Sequence, residues 1–197
     1  MLENYVGRGY QITKSSQTLI GSFGPDYPAD NVTLYSPDDD VHGALVQMYS
    51  MAQHSLVFGM YGFDDEPIAR VVKGKMLDPN MFVQGSFDSS QAGGVHERQI
   101  LALMKYPANM IAFGRSERHA IMHMKMAVID GLWVVTGSTN LSDDGETRQD
   151  NQLTVIESRA VAARARTKLD IVHANMQAQM LARAANRNPV TGLQELS

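Results

Sequence analysis

His123-Met124-Lys125-Met126-Ala127-Val128-Ile129-Asp130-Gly131-Leu132-Trp133-Val134-Val135-Thr136-Gly137-Ser138-Thr139-Asn140 is the stretch from which the fold is read. Two apolar runs, residues 124–129 and 132–136, flank Asp130-Gly131, a residue pair suited to a tight hairpin turn. Side chains alternate along a strand, so His123 and Lys125 project to one face while Met124 and Met126 point into the core. The returning strand brings Ser138 and Asn140, again two apart, back near the same end. An imidazole, an ammonium, a hydroxyl and an amide then share one surface, a set that suits a phosphate. Imidazole attacks phosphorus or donates a proton, lysine neutralises oxygens, and serine and asparagine give directional hydrogen bonds. The spacing H-x-K-x4-D-x6-G-S-x-N arises by chance in a chain of this length with a probability on the order of 10⁻⁶ at average residue frequencies. A lone His-x-Lys would carry no such weight.

Upstream, residues 32–35 read as a strand closed by Ser36-Pro37. Asp38, Asp39 and Asp40 follow, directly before Val41, Ala44, Leu45, Met48 and Ala52 at helical spacing. A helix N-cap explains that acid triplet better than a metal site. Residues 54–61 form a short buried strand, and Asp64-Asp65-Glu66-Pro67 caps a second helix with Ile68, Val71 and Val72 inward. Residues 81–87 read as a strand ending at Asp88-Ser89-Ser90, 91–94 as a turn, 97–104 as a third helix and 110–113 as a strand. Downstream of the hairpin, 152–156 is a further strand. From Arg159 to about Ala185 runs a long alanine-rich C-terminal helix, with Ala165, Leu169, Val172, Met176 and Met180 on one face and Pro189 ending it. This alternation predicts an α/β fold, a mixed β-sheet sandwiched by helices. The organisation is an N-terminal arm or edge segment (residues 1–30, either an edge or a cover for a partner subunit), one catalytic domain (31–186) and a C-terminal tail (187–197).

The chain has 197 residues, 44% apolar and 19% charged, which fits one soluble domain with a sizeable core. It has no cysteine, which excludes a disulfide scaffold, a thiolate nucleophile and cysteine-bound zinc. The formal charge of −4 does not suggest a strongly basic nucleic-acid-binding domain. Thirteen methionines are read as core filling in preference to an adaptable binding surface. An N-terminus with an acid at Glu3 is no secretory signal, and no apolar run approaches the roughly 20 residues of a transmembrane helix. A cytoplasmic protein is expected.

The segment at residues 123–140 resembles the HKD motif of the phospholipase D superfamily, with a match at all six motif positions. Residues 31–180 resemble such a domain as a whole, strongly at 119–156 and loosely elsewhere. The resemblance implies a phospholipase-D-like fold and a metal-independent phosphodiesterase that works through a covalent phosphohistidine, without cofactor. It implies a reacting histidine at His123, a phosphate-binding lysine at Lys125, and residues that brace the phosphate site at Ser138 and Asn140. Asp130, with Gly137, is implied to support the site structurally, away from the phosphate. The mechanism uses two histidines, and this chain holds one H-x-K. The small single-motif bacterial nucleases and the mitochondrial phospholipase-D-like nucleases solve this as homodimers, so an isologous dimer sharing one site is expected.

One position departs from the small bacterial nucleases. They carry a glutamate eleven residues past the motif asparagine, where this chain has Asn151. Asn151 can accept a histidine N–H but supplies no charge. His119, four residues before His123, either contacts substrate on the same strand face or sits at the rim. His96 lies in a Gly-rich turn, and His54 and His173 read as helix-end or surface residues. Tyr61 and Phe63 either line the site or pack in the core.

Three functions fit. A nuclease acting on DNA or RNA is favoured by size and the single motif, against the net charge of −4. A phospholipase D or phosphatidyltransferase would need an apolar, membrane-facing entrance. A non-catalytic nucleic-acid-binding module would have no chemical need for all four of His123, Lys125, Ser138 and Asn140.

Overall fold

The computed structural model describes residues 31–91, 102, 107 and 109–187. The arm at 1–30, His96, nearly all of the helix expected at 97–104 and the tail beyond Arg187 lie outside them. The elements are β1 (Asn31–Ser36), α1 (Val41–Ser50), β2 (Ser55–Met60), α2 (Glu66–Leu77), β3 (Phe82–Asp88), β4 (Ile111–Gly114), β5 (Lys125–Ile129), β6 (Trp133–Gly137), α3 (Asp143–Thr147), β7 (Asn151–Glu157) and α4 (Arg159–Arg187). Among the described residues no helix is long and apolar enough to cross a membrane.

Seven strands form one mixed sheet in the order β1-β7-β6-β5-β2-β3-β4. β2, β3 and β4 run parallel, and the other pairings are antiparallel. Helices cover both faces. Leu56, Phe58 and Met60 of β2 and Ala127 and Ile129 of β5 join α1 and α2 in the larger core. The alternate residues Val57 and Val128 pack on Ala162 and Leu169 of α4. Strand alternation thus divides each strand between two layers, as a sheet sandwiched by helices requires.

Local signals explain the elements. Asp40 caps α1, its carboxylate accepting the Gly43 N–H at 2.9 Å, while Asp39 accepts the Tyr35 N–H at 2.7 Å. Both therefore serve turn and cap, as read from the sequence. Asp65 caps α2 by accepting the Ile68 N–H at 2.6 Å, with Pro67 in the first turn. The β5–β6 turn places Asp130 at φ 52° and Gly131 at φ 61°, and the Leu132 N–H closes it on the Ile129 carbonyl at 3.0 Å. Two consecutive left-handed residues define the hairpin turn that matches strand twist.

One alternative falls and one expectation needs correction. Of the two readings of His119, the strand face shared with His123 falls, since β5 starts only at Lys125 and His119 is an exposed turn residue at φ 60°, which fits the rim reading. His173 is no surface residue. It is 5% exposed, under the sheet, with Nδ1 3.1 Å from the Gly85 carbonyl and 3.2 Å from Ser86 Oγ. Burial pushes its pKa below the ordinary histidine value, so the neutral ring is favoured there. His54 is exposed, as expected.

Candidate active site

The motif residues collect at one end of the sheet. Met60, the last residue of β2, pairs with Lys125, the first of β5, and Gly137, the last of β6, pairs with Leu153 near the start of β7. β2 and β3 are parallel, so their carboxyl ends also meet there, the usual place for a ligand on such a sheet.

His123 is exposed, and Lys125 is 6% exposed beneath it. The Lys125 ammonium donates to His123 Nε2 at 2.9 Å and to the His123 carbonyl at 3.3 Å. As acceptor, Nε2 carries its lone pair toward the lysine. Nζ also lies 5.0 Å from the centre of the Tyr61 ring, and that ring meets the imidazole edge-on at 4.6 Å. Burial pushes the Lys125 pKa down, which raises the gain from an incoming anion. The Tyr61 N–H donates to the Met124 carbonyl at 2.9 Å, and Gln91 donates to the Tyr61 hydroxyl at 2.9 Å, fixing the ring. Of the two aromatic residues considered, Tyr61 thus lines the site, while Phe63 is buried in the core at 2% exposure.

Ser138 and Asn140 arrive on the loop after β6. Asn140 lies against Gly62, where a Cβ would stand 3.2 Å from the Asn140 Cγ, and its Oδ1 is buried without a hydrogen bond. Ser138 Oγ donates to Asn151 Oδ1 at 2.8 Å and accepts the Gln152 N–H at 3.1 Å. Asn151 Nδ2 donates to the Gly145 carbonyl at 3.0 Å. The Asn151 carbonyl is therefore occupied by the Ser138 hydroxyl, and this pair ties β7 to the motif loop. Gly137 is required by close approach: a Cβ there would stand 2.1 Å from the Gln152 carbonyl oxygen.

Asp130 lies at the opposite end of β5. Its carboxylate accepts N–H bonds from Gln53 (2.9 Å), His54 (2.8 Å) and Ser55 (2.8 Å), anchoring β5 to the start of β2. Burial pushes this carboxyl up, but the three donors outweigh burial and hold it below the usual carboxylate range.

Asp88 and one three-residue grouping were not anticipated as parts of the site region. Asp88, fully buried at the end of β3, accepts the Met122 N–H at 2.6 Å and so fixes the approach to His123. Its place at a strand end, followed by two serines, was the only linear signal. The second group is His42, Asp65 and Glu146, from α1, the cap of α2 and α3. His42 Nδ1 lies 2.5 Å from Glu146 Oε2 and 3.2 Å from Asp65 Oδ2. Glu146 is 1% exposed; burial, then the Asp65 charge, pushes its carboxyl up to about 8 against the opposing His42 hydrogen bond. Positions so far apart in sequence leave no spacing signal.

A model of the family described as cardiolipin synthase, PLD-like domain, matches residues 45–172. No curated protein matches the sequence. Among solved structures, Nuc from Salmonella typhimurium, a phospholipase D family member, is 19% identical with a TM-score of 0.62, the match covering 74% of this chain and 94% of that one. NucT from Helicobacter pylori is 22% identical with a TM-score of 0.62, covering 72% and 94%. Phosphatidylserine synthase from Haemophilus influenzae Rd KW20 is 10% identical with a TM-score of 0.50, covering 70% of this chain and 37% of that one. These three are likenesses of fold. The family match spans more than half of the sequence, including the whole of residues 123–140, and the chain belongs to the PLD-like family.

Proposed function

We propose that this chain is a metal-independent phosphodiesterase that hydrolyses nucleic acid, DNA or RNA, through a covalent phosphohistidine at a site shared by two copies. The observation that carries the reading is an exposed His123 whose Nε2 lone pair rests on the buried Lys125 ammonium. A substrate phosphate would take over the ammonium, free Nε2 and receive its attack. The N–P bond forms as the bond to one ester oxygen breaks, and that oxygen takes a proton from the imidazolium of the same histidine in a second copy. The second imidazole, now neutral, removes a proton from water, which attacks phosphorus in line. The N–P bond breaks, and a phosphomonoester leaves. Asn140 and Ser138 would brace the phosphate oxygens, with Asn151 holding Ser138. His119 and Asn151 are the further candidates for substrate contact.

Nucleic acid is preferred because Nuc and NucT share this fold over nearly their whole length. Ile121, two residues before His123, is an exposed large apolar side chain, and by itself it makes no membrane-docking face. The test offers single-stranded DNA, duplex DNA, RNA and phosphatidylcholine vesicles in parallel, all in EDTA. Cleavage of nucleic acid is expected, abolished in His123→Ala. Choline release alone, activity that requires added metal, or an active His123→Ala would overturn the reading. Binding of nucleic acid without any cleavage would favour the non-catalytic module.

A further inference from the structure

Behind the Asn140 loop, three elements each contribute one donor to a single point. His42 Nδ1, Asp65 Oδ2 and a Glu146 carboxylate oxygen all lie within 4.8 Å of one another. Asp65 and Glu146 are buried, at 6% and 1% exposure. Among the described residues, the ion pairs of both carboxylates run to His42 alone. Two buried carboxylates against one imidazole leave net negative charge in a poorly solvated place, an arrangement tolerated only when a cation or a proton compensates it. The second oxygen of Glu146, Oε1, is buried and has no hydrogen bond. A native buried carboxylate oxygen without a donor calls for a partner that is neither backbone nor side chain.

We infer that His42, Asp65 and Glu146 form a binding site for one divalent transition-metal ion, of the Zn²⁺ or Mn²⁺ class, separate from the site at His123. The donor set of one imidazole nitrogen and two carboxylates balances a charge of +2 and suits these ions. Calcium would require six to eight oxygens. The set leaves at least one coordination position for water. His42 is one-third exposed, which gives the ion a way in. Asp65 is already oriented, because its other oxygen, Oδ1, accepts the Ile68 N–H at the head of α2. Outer contacts of this kind aim a ligand at its metal.

The site would tie α1, α2 and α3 together. The Asp64 and Asp65 N–H groups both donate to the Leu141 carbonyl, at 2.8 and 3.1 Å, so the clamp also grips the residue after Asn140. Its role is to stiffen that loop. His42 bridges the carboxylates by hydrogen bonds when a proton takes the place of the ion, so the histidine chemistry at His123 does not depend on the metal.

The test is calorimetric titration of chelator-stripped, desalted full-length chain with ZnCl2 near pH 7.5, with Mg²⁺ as comparison and melting temperature as a second readout. Wild type and His123→Ala should each take up one Zn²⁺ per chain and melt higher with Zn²⁺ than without, while Mg²⁺ should do neither. Glu146→Gln, which keeps the shape of the side chain, should weaken Zn²⁺ binding at least tenfold. His42→Ala should abolish it, with circular dichroism showing that both variants are folded. No stoichiometric uptake by wild type, unchanged binding in Glu146→Gln and His42→Ala, or binding lost in His123→Ala would each overturn the assignment.

Discussion

Asp130 shows how a motif residue can serve the fold from the end of the strand opposite His123. Three backbone N–H groups at the start of β2 converge on its carboxylate, so the negative charge is worth more in the folded chain than in the unfolded one. Its pKa is depressed on folding, hence its contribution is complete above the ordinary carboxylate range and is lost as pH falls through the folded value. Asp130→Asn keeps the shape and one acceptor but removes the charge. It should cost about 1–2 kcal/mol at pH 7, the part-exposed donors keeping the figure low, and the gap from wild type should close in strong acid. Urea denaturation of both proteins across pH measures this; a gap that stays constant would refute the charge argument. The role of Asp130 was legible because the motif fixes it, whereas the burial of His173 was missed. His173 lies four residues after Leu169 and three before Met176, on the stripe that faces the sheet, but a titratable residue at such a position is read as exposed by composition. The Gly85 carbonyl, the Ser86 hydroxyl and the Asn109 backbone around it show how its ring nitrogens are satisfied.

At the level of elements, the helices and strands follow their local signals, and what the sequence hides is how closely they approach. The stripe of Leu169, Val172 and Met176 places α4 on the sheet, and the acid-Pro run at residues 64–67 starts α2. The resemblance implies a structural role for Gly137, the last residue of β6, but nothing in a linear reading says what a side chain there would strike. Gly137 sits where the Gln152 carbonyl crosses it, beside the Ser138–Asn151 hydrogen bond. Gly137→Ala would push β7 away from β6, costing about 2–3 kcal/mol as an overpacked contact and lowering turnover through the displaced loop. Gly74 is the opposite case: it is exposed within α2, and a Cβ there meets nothing within 4 Å. Gly74→Ala should stabilise by about 0.5–1 kcal/mol through helix propensity and a less flexible unfolded chain. Parallel chemical denaturation, with the nuclease assay alongside, separates the two. Gly137→Ala with wild-type stability would mean that β7 yields at no cost.

For the whole molecule, the alternation of strands and helices made the sandwich legible, but the strand order was not. β2 pairs with β5 across more than 60 residues of chain, and such a pairing leaves no trace in local pattern. The same limit applies one level higher, to the second histidine. Among the described residues, the motif brings one imidazole, the exposed His123, to one end of the sheet, and the proposed two-step transfer uses two, one to attack and one to protonate the leaving oxygen. In the proposed dimer, a two-fold axis beside His123 would supply the second from an identical chain and make one site per dimer. Mixing tests this more sharply than mass alone. If His123→Ala chains are refolded together with wild type at about nine to one, random pairing leaves about one dimer in a hundred with both histidines. Activity should then fall to about a hundredth of that of an all-wild-type sample at equal total chain concentration, whereas independent monomers would keep about a tenth. Light scattering on the same samples should give twice the chain mass. A fall only in proportion to the wild-type fraction would place the whole reaction within one chain and remove the need for the axis.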